Sequence, residues 1–249
     1  MQKVKILNVE MQSITQKELL QTLKKGVLTT PNVDHLIKLQ KDRLFYDIYQ
    51  KADCVVCDSQ IIALGAKFLG TPIKEVIPGS SFFSAYYEYH KKNKEVTIFL
   101  LGAAAGVAEK AKERINRYIG RDIIVGAHSP SFGFEKDEKE CMEIVDYINK
   151  TNATVLLVGV GAPKQEKWIF KYKDQLPNIN LFLPLGATID FEAGNIKRAP
   201  KIFQKLALEW LYRMFMDPKR LIKRYLVDDI PFFYLLVKQR FGLYRNPFE

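Results

Sequence analysis

Short runs of β-branched and aliphatic residues recur at residues 4–9, 27–30, 54–57, 96–101, 123–125, 155–158 and 180–185, and each reads as a strand. Between these runs the apolar period lengthens to that of a helix. Thr15 and Glu18 have the spacing of a capping box and predict a helix start. Residues 107–119 place Val107, Ala108, Ala111, Ile115 and Tyr118 on one helical face, and residues 136–148 form a further helical stretch. Strands alternating with helices predict an α/β fold, a Rossmann-like, mostly parallel sheet with helices on both faces, and no internal repeat is evident. After Gly194 the alternation stops. Ile202, Phe203, Leu206, Trp210 and Met214 then follow a helical period, and Asp217-Pro218 reads as an N-cap and first helical residue. The chain thus divides into residues 1–195, an α/β domain, and residues 196–249, a C-terminal helical appendage.

Glycines follow several strands, at Gly102, Gly126, Gly159 and Gly186. The most telling stretch is Val158-Gly159-Val160-Gly161-Ala162-Pro163-Lys164-Gln165-Glu166. A strand, a tight glycine turn and a helix opened by Pro163 leave backbone N–H groups facing outward, which suits an anion such as a nucleotide diphosphate. Ligands collect at the carboxyl ends of parallel strands, so Asp58, Gly102, Gly161 and Gln165 are expected along one edge, with Gly126 only ending its strand. Asp58, after an apolar run, has a setting that raises a carboxylate pKa; a cap for the helix starting near Gln60 is the simpler role for it.

The 249 residues are long enough for a sizeable core, and no run of eighteen apolar residues predicts a spanning helix. The N-terminus lacks the apolar core of a secretory signal, and three cysteines without a paired framework fit a reducing cytoplasm. Cys54 and Cys57 stand three apart on a strand and so face opposite ways, as buried structural thiols rather than a redox pair. His35, His90 and His128 share no ligand spacing, and no metal or cofactor site is expected. Charge is uneven: from Lys197 onward, twelve Lys and Arg against five Asp and Glu leave +7 of the chain's +10. Such a tail suits a phosphorylated ligand or an anionic membrane surface. Pro231 to Val237 is too short to cross a bilayer, and suits either its interface or packing against the domain.

Thr30-Pro31-Asn32-Val33-Asp34-His35, then Asp58, then Gly161-Ala162-Pro163-Lys164-Gln165-Glu166, then Glu209-Trp210-Leu211-Tyr212-Arg213 and Pro218-Lys219-Arg220-Leu221-Ile222-Lys223-Arg224 stand in fixed order and spacing. In that order the chain resembles the WecG/TagA/CpsF family of bacterial glycosyltransferases, from about residue 27 to residue 226. The resemblance implies an inverting, metal-independent transfer of a hexose, N-acetylmannosamine or a related sugar such as glucose, from a UDP-sugar donor to a polyprenyl-diphosphate-linked glycan acceptor. Cell-surface polysaccharide, teichoic acid or exopolysaccharide synthesis is the implied setting. The implied location is cytoplasmic, peripheral on the inner face of the cell membrane; a homo-oligomer is compatible and nucleic acid is not a partner.

By the same resemblance Asp58 is the catalytic base, while Thr30, Asn32 and Gln165 meet the donor; the glycines Gly102, Gly159 and Gly161 are expected to meet it from their places after the strands. Arg213, Arg220 and Arg224 would cover the diphosphate; guanidinium groups are planar and bind phosphate bidentately. The absence of an Asp-x-Asp pair in a loop agrees with arginines and amides taking a metal's place. The sequence departs from the family after Asp58, where Ser59 replaces the usual glycine, and across residues 77–81, where no role is carried over. Two other readings fit parts of the pattern. A nucleotide-binding Rossmann-type oxidoreductase requires a third glycine where Pro163-Lys164 stands. A non-enzymatic polyanion binder requires aromatics interleaved with the basic tail for bases to stack on.

Overall fold

The computed structural model describes residues 2–196 and 229–249. Its first apolar run departs from expectation. Residues 4–9 do not form one strand, because Leu7 turns left-handed at φ 53° and the chain reverses into an antiparallel hairpin of β1 (Lys3–Ile6) and β2 (Val9–Gln12). Val4, Ile6, Val9 and Met11 all face inward, as period-two alternation on a one-sided hairpin demands.

The remaining runs form one sheet: β3 (Gly26–Thr29), β4 (Cys54–Val55), β5 (Ile98–Gly102), β6 (Ile124–His128), β7 (Val155–Gly159) and β8 (Leu181–Pro184). Their order is β4-β3-β8-β7-β5-β6 and every pairing is parallel. β5 leads outward to β6, whereas β7 leads back to β8. The connections diverge between β5 and β7, the kind of switch point at which an open sheet leaves a crevice. Gly126 lies inside β6 rather than past its end; a Cβ there would stand 2.5 Å from the Phe99 ring of the neighbouring strand.

The described helices are α1 (Gln16–Thr22), α2 (Val33–Lys38), α3 (Arg43–Gln50), α4 (Gln60–Phe68), α5 (Gly79–Tyr89), α6 (Val107–Ile119), α7 (Glu138–Asn149), α8 (Lys164–Tyr172), α9 (Thr188–Ala193) and α10 (Ile230–Arg240). Thr15 and Glu18 form the expected capping box on α1. α6 spans the predicted residues and buries Val107, Ala108, Ala111 and Ile115, but Tyr118, in its last turn, meets the edge of Tyr87 and stays exposed. Side chains of α1, α5, α6 and α9 share a core with the sheet, and those of α7 and α8 share another.

A third core lies between the β1–β2 hairpin, α2, α3, α4 and α10. Phe232 and Leu236 of α10 are buried in it, against Gly65 of α4. Gln239 accepts the Leu7 N–H (2.7 Å) and donates to the Lys5 carbonyl (3.0 Å), and Tyr244 donates to Gln40 Oε1 (2.7 Å). Residues 229–249 are therefore knitted into the N-terminal half of the molecule. The opposite side of α10 shows Ile230, Phe233, Tyr234 and Val237 to solvent. No helix among the described residues is long and apolar enough to cross a membrane.

Candidate functional site

Because all six strands run the same way, the loops after them open along one edge. The β3 and β4 loops are laced together: the Val56 N–H donates to the Thr29 carbonyl (3.0 Å) and the Asp58 N–H to the Pro31 carbonyl (3.2 Å). Thr30, Asn32 and Asp58, separated by up to 28 positions in the chain, thus stand together. Asp58 is half-buried, and it does not cap α4. Ser59 occupies the N-cap, at φ −119°, and makes no side-chain cap bond. Extended backbone suits any residue, so serine in place of the family's usual glycine introduces no strain here. Asn32 caps α2 by accepting the His35 N–H through Oδ1 (3.2 Å), which fixes the direction of its amide.

The N-terminus of α5 arrives beside this cluster. The Ile77 N–H donates to the Cys57 carbonyl (2.7 Å), and a Cβ on Gly79 would stand 3.2 Å from Thr30 Oγ1 and 2.9 Å from Leu185. Glycine is what lets this helix end approach Thr30. No role was carried over to residues 77–81 from the sequence, and only the folded chain shows which loop Gly79 meets.

Across β8 and β7 the edge is built from glycines. Gly102 and Gly159 are register partners; a Cβ on Gly102 would lie 2.5 Å from the Gly159 oxygen, and one on Gly159 would lie 2.6 Å from the Gly186 oxygen. Neighbouring strand ends therefore touch backbone to backbone. Gly161 takes φ 85°, where a side chain is disfavoured. Pro163 stands at the N-cap of α8 rather than at its first helical residue, Lys164. Lys38 of α2 donates to the Ala162 carbonyl (3.2 Å) and pairs with Asp34 (2.8 Å), joining the α2 and α8 ends of the cleft.

Gln165 is buried. Its Oε1 accepts the N–H groups of Gly161 (3.2 Å) and Gly186 (3.0 Å), and its Nε2 donates to Glu166 Oε1 (2.9 Å). Its amide braces two loops, so any effect on a bound ligand passes through their shape. Trp168 is likewise internal and donates to Cys141 Sγ (3.3 Å). Glu166, in the first turn of α8, is also internal. Burial, opposed by the Gln165 hydrogen bond and by Lys38, pushes it up to about 7.

Cys54 and Cys57 do diverge. They pack into different cores, and burial pushes each thiol up to about 12, with the Asp58 charge adding to the shift at Cys57. Neither suits a nucleophile. Arg213, Arg220 and Arg224 lie outside the described residues. A carboxylate beside a hydroxyl, a capped amide and several helix N-termini can accept a proton from one ligand while backbone N–H groups hold the anion of another.

Residues 4–246 match the model of the glycosyl transferase WecG/TagA/CpsF family. The chain is 28% identical over 197 residues to an N-acetylglucosaminyldiphosphoundecaprenol N-acetyl-beta-D-mannosaminyltransferase of Bacillus spizizenii, covering 79% of this chain and 74% of that protein. A protein of the same description from Staphylococcus aureus is 27% identical over 240 residues, covering 93% of this chain and 90% of its own.

Proposed function

The chain belongs to the WecG/TagA/CpsF family of glycosyltransferases, and we propose that it moves N-acetylmannosamine from UDP to an N-acetylglucosaminyl-diphosphate carried on a polyprenol. The observation that carries this reading is the near full-length likeness to the Staphylococcus aureus enzyme, over 93% of the chain, whose description names that sugar and that acceptor. Lipid-linked acceptors present their diphosphate at a membrane face, so the enzyme works as a peripheral protein at the inner face of the cell membrane. The polymer served is a teichoic acid or a related surface polysaccharide.

Asp58 takes the proton of the acceptor hydroxyl, the freed oxygen attacks the anomeric carbon, and UDP departs from the opposite side. One displacement of this kind inverts the anomer. Thr30 and Asn32 contact the sugar or diphosphate beside Asp58, and the glycine-lined edge from Gly102 through Gly159 and Gly161 lets the nucleotide approach backbone N–H groups. Gln165 holds two of these loops in shape. Arg213, Arg220 and Arg224 neutralise the leaving diphosphate without a metal, since fixed cations and amides stabilise developing charge where it forms. A donor screen with a short polyprenyl-diphosphate N-acetylglucosamine tests the reading. UDP release should depend on acceptor and be fastest with UDP-N-acetylmannosamine. Release with other UDP-hexoses alone would reassign the sugar, and release with none would remove the reading.

A further inference from the structure

Glu166 opens α8, where a carboxylate ordinarily faces solvent and the helix dipole. Here it is 1% exposed, and its Oε2 has no hydrogen-bond partner among the described residues. A buried oxygen without a partner is costly, so a specific need must hold the side chain inside. Its other oxygen shows that need. Gln165 Nε2 donates to Glu166 Oε1 (2.9 Å), which turns Gln165 Oε1 toward the N–H groups of Gly161 and Gly186. Were the amide flipped, its NH2 group would oppose two N–H donors and its oxygen would face a carboxyl group. Either glycine loop would then lose its anchor.

We infer that Glu166 is a positioning residue that fixes the orientation of Gln165 and through it braces the β7 and β8 loops of the donor site. The kinetic part of this inference rests on the glycosyl-transfer reading; the structural part does not. The groups facing Glu166 come from each element packed there. Tyr49 of α3 holds His35 Nδ1 of α2 (2.9 Å) and feels the charges of both Glu166 and Asp58; Lys38 of α2 lies opposite, paired with Asp34. Lys167 of α8 and Asp42, before α3, pair further along.

Burial raises Glu166 to about 7 from an ordinary 4.5, so the folded protein keeps a proton that the unfolded chain has released. Stability is then fully present below the lower value and falls as pH rises through that window. Glu166→Gln keeps an acceptor for Gln165 and cannot titrate. Measured on the full-length protein, the melting temperature of Glu166→Gln should match wild type near pH ~4.5 and exceed it near pH ~8. Its KM for the donor should stay within about threefold of wild type, whereas Glu166→Leu should raise KM about tenfold or more with a smaller loss in kcat. Equal pH slopes for wild type and Glu166→Gln, or an unchanged KM in folded Glu166→Leu, would overturn the inference. If Glu166→Leu does not fold, the Glu166→Gln melting comparison and KM still decide. Absence of turnover in every protein, wild type included, would count against the glycosyl-transfer reading alone.

Discussion

Asp58 owes its place to a backbone contact. Its N–H is tied to Pro31, and Ser59 relieves it of capping α4. Replacing it with the isosteric amide removes the base but leaves that contact. Asp58→Asn should therefore lower kcat by about 10²–10⁴ with little change in donor affinity, as steady-state kinetics and donor titration will read. Wild-type turnover would exclude Asp58 from the chemistry. Gly159 makes a second prediction at this scale. A methyl group there meets the Gly186 oxygen at 2.6 Å, backbone that cannot swing aside, so Gly159→Ala should destabilise the protein by about 1–3 kcal/mol in denaturant titration.

At the scale of elements, α10 closes a core that would otherwise stand open. Phe232 is fully buried between α4 and the hairpin side of the molecule, and Phe232→Ala should cost about 3–5 kcal/mol of unfolding free energy. Deleting everything after Gly194 would take Phe232 and Leu236 out of the same core, so the truncated chain should melt lower than the full one. A truncated protein as stable as the whole would show that α10 contributes no core. Much of this level was legible in the sequence: a short apolar run marks each strand of the parallel sheet, and the capping box and the bounds of α6 follow from local rules. The hairpin was not legible, because Leu7 is an apolar residue in a left-handed turn and leaves the hydrophobic run unbroken. Nor was the inward face of Glu166, which depends on α2 and α3 packing over α8, contacts between residues more than a hundred positions apart. Asp58, Thr30 and Asn32 were found through family motifs, while their convergence required the parallel register of β3 and β4.

For the whole molecule, the exposed side of α10 and the basic tail point the same way. Ile230, Phe233, Tyr234 and Val237 face solvent on a chain whose last 53 residues carry +7. Vesicles containing anionic lipid should bind the full-length protein, each basic residue near the surface contributing about 1 kcal/mol, and added salt should release it. Binding indifferent to salt or lipid charge would leave the tail to the diphosphate alone. Because arginines and amides are assigned the leaving group, transfer should also persist in excess EDTA; loss of turnover reversed by magnesium would contradict that assignment. The most direct test of a single displacement at Asp58 is NMR of the product formed from UDP-N-acetylmannosamine and the lipid-linked acceptor. A single displacement yields one glycoside whose anomeric configuration is opposite to the donor's. A retained configuration would contradict it.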